Sequence, residues 1–106
     1  MDDKQTAALE ASIEHWQKNA TAAIPAGASV SGADCALCRV NTHSCKTCPV
    51  FERTGQGACE GTHYYEALRG WHRWKHTPLD AKARQAFQEA AQHELDFLIS
   101  LREPAP

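Results

Sequence analysis

The sequence has no apolar run that approaches the roughly 18 residues needed to span a membrane. Its first residues, Met1–Gln5, are charged and polar, and neither an apolar stretch nor a small-residue cleavage site follows them. We therefore expect a cytoplasmic protein with no membrane partner. In a reducing cytoplasm, clustered cysteines bind metal ions more often than they form disulfides.

The net charge is small, because 11 Lys and Arg residues and 13 Asp and Glu residues leave a formal charge of −2. Generic polyanion binders are usually strongly basic, so this balance argues against that class of protein. A Gly-rich phosphate loop, a nucleophile elbow and an H-E-x-x-H motif are also missing from the sequence. These absences favour a non-enzymatic protein.

Large apolar side chains are scarce between residues 25 and 61, where no helical or strand period is sustained. Stretches of this length without secondary structure are unusual in compact domains unless they are functional or disordered. The same stretch contains every cysteine of the chain: Cys35, Cys38, Cys45, Cys48 and Cys59. Bonds to a metal ion would supply the folding energy that apolar burial does not supply here.

The cysteine spacing predicts a structural zinc site, because a C-x2-C pair is followed after six residues by a second C-x2-C pair. Each pair brings two thiolates to one ion from a tight turn, and two pairs complete a tetrahedral shell. The simplest set of ligands is Cys35, Cys38, Cys45 and Cys48. A second possible set is Cys35, Cys38, Cys48 and Cys59. Further candidate ligands are His43 and His63.

Other uses of the cysteines are less well supported. An iron–sulfur cluster also takes four thiolates, but the spacing does not match the ferredoxin motifs. Disulfides would leave one of the five cysteines over, and they are unusual in the cytoplasm. Cys59 with His63 as its base would form a reactive nucleophile, yet clustered cysteines rarely serve that way.

An amphipathic helix is expected before the cysteine-rich stretch, within residues 1–24. Three large apolar residues recur at i, i+4 and i+7, which places them on one helix face. These residues are Leu9, Ile13 and Trp16. The helix is predicted over about Asp3 to Ala20, and Pro25-Ala26-Gly27 stops any continuation.

A hairpin of two helices is expected after the cysteine-rich stretch, in residues 62–101, followed by a frayed tail at 102–106. The first helix is predicted from Thr62 to about Lys75. Its expected buried face consists of Tyr64, Leu68 and Trp71. Thr77 as N-cap and Pro78 in the first helical position predict the start of the second helix. The expected apolar stripe of that helix is Ala83, Phe87, Ala90 or Ala91, Leu95 and Leu98.

One basic and aromatic stretch indicates an alternative function, that of a small nucleic-acid-binding zinc module. Its candidate contacts are Arg69, Arg73, Trp74 and Lys75, with cations on phosphates and an indole stacked on a base. Trp71 shares the predicted core face, whereas Trp74 lies about one turn on and either caps the core or is exposed. The simpler explanation of the three cations is a solvated helix face. The histidines that receive no predicted role are His15, His72, His76 and His93.

The cysteine motifs resemble a pattern in small, largely uncharacterised proteins encoded by bacteriophages and by bacterial genomes, often in prophages. That pattern is C-P-L-C, then C-x-x-C-P-[VI], a Thr-Gly and C-x-x-T-P-Y. The matching segments here are Cys35-Ala36-Leu37-Cys38, Cys45-Lys46-Thr47-Cys48-Pro49-Val50, Thr54-Gly55 and Cys59-Glu60-Gly61-Thr62-His63-Tyr64. With Trp16 before them and Glu94-Leu95-Asp96-Phe97-Leu98 after them, the similarity spans nearly the whole chain.

The resemblance implies that all five cysteines belong to one pattern, so Cys59 is expected to be part of the site. Ala36 and His63 stand where the pattern has proline. A proline after Thr62 would fill the first helical position, which supports Thr62 as an N-cap. His63 is instead expected to be available to the metal or to a partner.

The expectation from the sequence is therefore a single, mainly α-helical, zinc-stapled domain covering residues 1–106. Its N-terminal helix and C-terminal hairpin would enclose an irregular metal-binding segment at 25–61. The expected function is that of a non-enzymatic interaction protein with a protein partner. The resemblance implies a phage-encoded protein that binds or inhibits a host macromolecule inside a bacterial cell.

Overall fold

The computed structural model describes residues 3–30 and 63–102 of the chain. They form three α-helices and one short 3₁₀ turn: α1 (Asp3–Ala20), the turn (Pro25–Gly27), α2 (Tyr64–His76) and α3 (Ala81–Ser100). Strands are absent from these two ranges, so the prediction of a mainly α-helical protein is confirmed. None of the three helices is long and apolar enough to cross a lipid bilayer. The predicted features that lie outside the described residues are Cys35, Cys38, Cys45, Cys48, Cys59, His43, Thr62 and residues 103–106.

Helix α3 is the centre of the described fold, because both α1 and α2 pack against it. Its apolar stripe is buried as the 3.6-residue period predicts: Ala83, Phe87, Ala90, Ala91, Leu95 and Leu98. The α1 side chains predicted to face the core are buried as well: Leu9, Ile13 and Trp16. The sequence period therefore identified the buried faces of α1 and α3.

Helices α2 and α3 approach each other closely at Gly70. A Cβ atom at this position would lie only 3.3 Å from the Cα of Phe87, so any side chain here would push the two helices apart. Next to this contact, the rings of Trp74 and Phe87 lie 5.5 Å apart between centroids. Both side chains are 0% exposed. Trp74 is thus a core residue, whereas Trp71 is only half-buried.

The turn between α2 and α3 differs from the prediction that Thr77 caps α3. The Thr77 hydroxyl donates to the Arg73 carbonyl at 2.8 Å and so helps to close α2. The N-cap of α3 is Asp80, whose carboxylate accepts from the N–H groups of Lys82 at 2.9 Å and Ala83 at 3.4 Å. Helix α3 therefore begins at Ala81, because the carboxylate satisfies two of its free N–H groups.

Side chains of α1 hold the segment that follows this helix. Asn19 is 1% exposed and forms two hydrogen bonds with the Ser29 backbone: Nδ2 donates to the carbonyl at 2.8 Å, and Oδ1 accepts from the N–H at 3.0 Å. His15 Nε2 donates to the same carbonyl at 2.8 Å. These bonds satisfy backbone groups that an irregular segment would otherwise leave unpaired.

An ion pair joins the middle of α1 to the residues that follow α3. The Arg102 guanidinium donates to the Glu10 carboxylate through Nε at 2.8 Å and through a terminal nitrogen at 2.5 Å. The hydrogen bond from Arg102 is the main reason that the pKa of Glu10 is lowered from its ordinary value. A bidentate contact between arginine and a carboxylate is the strongest form of this ion pair. Because the pair is exposed to water, its contribution to the stability of the fold is small.

Replacing Glu10 with glutamine should reduce stability slightly at neutral pH and have little effect in acid. Because the folded-state pKa of Glu10 lies below the ordinary value of 4.5, the ion pair stabilises the protein fully above that value. The contribution is lost as the pH falls through the lower, folded-state pKa. Urea unfolding at pH 7 and pH 3 would measure this, with Glu89→Gln on the exposed surface of α3 as control. An equal loss at both pH values would contradict the assignment.

Candidate metal centre

The two ends of the segment that contains the cysteines are held side by side. The Tyr64 hydroxyl, in the first turn of α2, donates to the Val30 carbonyl at 2.6 Å. The Tyr64 ring also meets the edge of the Trp16 ring, with centroids 6.3 Å apart. Residues on either side of 31–62 are therefore anchored at one place on the helical core.

Two further side chains fix the approach to this point. Trp71 Nε1 donates to the Pro25 carbonyl at 3.0 Å, and Gln88 Nε2 donates to the Ala22 carbonyl at 2.8 Å. The backbone between α1 and residue 30 is thus bonded to all three helices. These contacts explain why Trp71 is only half-buried: its ring covers the loop rather than entering the core between α2 and α3.

Three metal-ligating side chains converge beside the anchored ends: His63, Glu66 and His93. Their potential ligand atoms all lie within 4.8 Å of one another. His63 Nδ1 is 3.5 Å from Glu66 Oε2, and the two imidazole rings lie 5.0 Å apart between centroids. The cluster spans two helices, because His63 and Glu66 belong to the start of α2 whereas His93 lies on α3.

Hydrogen bonding and packing of the helices fix the backbone positions of these three residues. The His63 carbonyl accepts the N–H of Ala67 at 3.1 Å, so His63 lies at the N-terminal end of α2. Ala67 is completely buried, so the core anchors the backbone next to the exposed Glu66. His93 precedes the buried pair Glu94 and Leu95 on α3. The exposed ligand atoms therefore extend from positions that the core holds in place.

The cluster has the chemistry of a site for a borderline divalent metal ion. Two imidazoles and one carboxylate suit Zn²⁺ and its first-row neighbours, and a His₂Glu set is known for zinc. Bonds of about 2.1 Å in a tetrahedron place neighbouring ligand atoms about 3.4 Å apart. The separation of 3.5 Å between His63 and Glu66 already matches that spacing.

The cluster also has a simpler explanation, which requires no metal. A carboxylate in the first turn of a helix is favoured by the positive end of the helix dipole, and Glu66 occupies this position. A protonated His63 would form an ordinary exposed ion pair with it. The position of His93 is the feature that this explanation leaves out, since it brings a third ligand from another helix.

The predicted nucleic-acid contacts are not all at the surface. Arg69, Arg73 and Lys75 are exposed, but the Trp74 ring has no exposed surface and cannot stack on a base. Trp74 is therefore removed from the predicted contacts, because close packing at Gly70 takes its ring into the core. Trp71 retains some exposure, and the Lys75 ammonium lies 5.0 Å from its ring centroid.

A second distinctive surface stretch runs from the middle of α2 through the turn and into the first turn of α3. Residues 69–84 contain five of the 11 Lys and Arg residues and only one of the 13 Asp and Glu residues. We call this surface the basic tip, and its cations are Arg69, Arg73, Lys75, Lys82 and Arg84. Within the described ranges, none of the five forms an ion pair. The single acid, Asp80, caps α3.

Leu79 is the most exposed large apolar side chain of the described residues, at 99%. It lies in a tight turn that the N–H of Asp80 closes by donating to the Thr77 carbonyl at 3.0 Å. Pro78 precedes it at the turn position that proline favours. The turn thus presents a leucine to solvent, and Lys75 and Lys82 are the cations nearest to it in the sequence.

Comparison with known protein families, with curated protein sequences and with solved structures found no match to this chain. The resemblance of its cysteine pattern to phage and bacterial proteins therefore remains a prediction.

Proposed function

We propose that this chain is a non-enzymatic, zinc-stabilised protein that binds an acidic protein partner through its basic tip. The zinc site would lie in the cysteine-rich segment, and the helices would present the binding surface. In keeping with the resemblance described above, the partner would be a protein of the bacterial host. Inhibition of that partner is the expected consequence of binding.

The exposure of Leu79 is the observation that carries this proposal. A leucine that is 99% exposed contributes nothing to the core, and transferring it into an apolar pocket is worth about 1.5–3 kcal/mol. The cations of the basic tip lack carboxylate partners among the described residues, so an acidic surface would complement them. An apolar anchor within a charged rim is typical of protein–protein interfaces.

The same surface offers less to a nucleic acid. The cations would meet phosphates, but Trp74 is buried and Lys75 lies over the ring of Trp71. No indole of α2 is thus freely available for stacking on a base. A protein pocket would use Leu79, whereas a phosphate backbone would not.

The zinc part of the proposal is supported by the anchoring of residues 30 and 64. Because the Tyr64 hydroxyl bonds to the Val30 carbonyl, the segment that carries the five cysteines begins and ends at one point of the helical core. A metal ion bound within such a closed stretch would reduce the conformational entropy that folding has to overcome. Five cysteines supply enough thiolates for one tetrahedral site.

A capture experiment with matched variants tests the docking surface. The purified protein serves as bait in nuclease-treated bacterial lysate, alongside Leu79→Asp and the double reversal Arg69→Glu/Arg73→Glu. The control is Lys4→Glu/Lys18→Glu, which makes the same charge change on the exposed surface of α1. We expect a partner that the wild type and the control both capture and that each tip variant captures at least about tenfold less.

Two results would contradict the proposal. Equal capture by the tip variants would show that the partner binds elsewhere. Capture that is seen in a parallel untreated lysate but lost in the nuclease-treated one would favour the nucleic-acid alternative. A titration with duplex DNA and single-stranded RNA would then be decisive, since affinity that falls steeply with salt and depends on Arg69, Arg73 and Lys75 indicates phosphate contacts.

A further inference from the structure

We propose that His63, Glu66 and His93 form a second metal site, separate from the cysteines, for Zn²⁺ or another first-row divalent transition-metal ion. The site goes beyond the proposed function, because its three ligands among the described residues are not cysteines and do not lie on the basic tip. The three groups come from two helices and have their ligand atoms within 4.8 Å of one another. The structure thus brings together residues that lie far apart in the sequence.

The donor set decides which ions bind. Two neutral imidazoles favour zinc, cobalt, nickel and copper over Mg²⁺ and Ca²⁺, which prefer oxygen ligands. The single carboxylate balances part of the charge of the ion and supplies the third ligand. The three ligands found among the described residues fill three of the four positions of a tetrahedral ion and leave the fourth for water. The bound ion would consequently be exchangeable and less tightly held than one in a closed four-thiolate site.

Only small movements are needed to close the site. His63 and Glu66 already stand 3.5 Å apart, and their side chains are 44% and 54% exposed. His93 is exposed as well, so its ring turns without disturbing the core. Ala67 on α2 and Leu95 on α3 are both buried, so the core anchors each helix close to its ligand. A bound ion would therefore connect the start of α2 to α3.

This connection predicts a gain in stability that depends on metal concentration. An ion that binds only the folded protein stabilises it by RT ln(1 + [M]/Kd), which is about 2.7 kcal/mol at 100 times Kd. The melting temperature should rise as zinc is added beyond the first equivalent, and above Kd it should continue to rise with the logarithm of the free zinc concentration.

The test follows two types of binding in protein freed of any affinity tag, with Zn²⁺ and Co²⁺ as probes. Cobalt bound by thiolates shows sulfur-to-metal charge-transfer absorption, whereas cobalt bound by imidazole and carboxylate does not. We expect one event with this absorption and a second, weaker event without it. His93→Ala and Glu66→Gln should weaken the second event at least about tenfold and leave the first unchanged.

His72→Ala is the matched control, because His72 is exposed on α2 and lies outside the cluster. Imidazole NMR signals should shift with the second equivalent of zinc for His63 and His93 but not for His72. Circular dichroism shows whether each variant is folded, and the exposed positions of His93 and Glu66 make normal folding the expectation.

The outcomes separate this inference from the proposed zinc site in the cysteine-rich segment. Loss of the thiolate-type event in His63→Ala would place His63 in the cysteine site and overturn the second site. A single event that His93→Ala leaves unchanged would overturn it also. If metal binds without any charge-transfer absorption from sulfur, and His93→Ala weakens this binding, the result would support the His–Glu–His site and contradict the cysteine site.

Discussion

Replacing Phe87 with alanine should lower the free energy of unfolding by about 3–5 kcal/mol. The side chain is 0% exposed and lies in the middle of α3, where its ring packs on that of Trp74. Because α2 touches the Phe87 backbone at Gly70, the helices have little freedom to close the cavity that alanine would leave. A domain of this size is typically stable by only 5–15 kcal/mol, so the loss is a large share of the total.

Urea unfolding followed by circular dichroism would measure this loss as a shift of the midpoint. Gln85→Ala is the control, since Gln85 is exposed on the same helix and its replacement should change stability by less than about 0.5 kcal/mol. A loss of less than about 1 kcal/mol for Phe87→Ala would contradict the close packing of α2 on α3.

Replacing Cys48 with serine should remove the tightly held zinc, of which we expect about one ion per chain. Cys48 belongs to both ligand sets that the spacing allows. A disulfide that closes a loop of about 15 residues raises the free energy of unfolding by about 3 kcal/mol, and we expect a similar effect from a metal ion that cross-links the cysteines. The melting temperature should therefore fall by more than about 10 °C.

Metal analysis and thermal unfolding of protein purified without denaturation would check both parts of this prediction. The variant should keep most of its helical signal, because the buried cluster of the described residues lies in the helices and their adjoining loop. Ser44→Ala, within the same stretch, is the control for loss of a small polar side chain. If Cys35→Ser and Cys48→Ser both leave zinc content and melting temperature unchanged, the cysteines do not form the site. An iron-containing, brown protein would indicate a cluster instead.

The helices were predictable where local sequence decides them. Helix α1 was expected over about Asp3 to Ala20 and is found there, since its apolar period and the following Pro25 both act locally. The start of α3 was placed too early, at Thr77 and Pro78. Two capping residues competed within a few positions, and which one caps α3 depended on the Thr77 hydroxyl bonding back to α2.

The candidate metal site could be predicted from the sequence only in part. His63 was a candidate from its place beside the cysteines, but His93 had no predicted role. Nothing in the sequence indicates how far along α3 the first turn of α2 will lie. That register is set by contacts between the two helices, such as the close approach of the Gly70 backbone to Phe87. A pairing of His63 with His93 was therefore beyond sequence reasoning.

The sequence by itself determined that the protein is mainly helical, which faces of α1 and α3 are buried, and that all five cysteines lie in one stretch. Each of these follows from periodicity, composition or spacing along the chain. Tertiary structure alone decided that Trp74 rather than Trp71 fills the core, that Leu79 is exposed, and that His93 meets His63. Those outcomes depend on the distance and register between α2 and α3, which only the packing of the two helices sets.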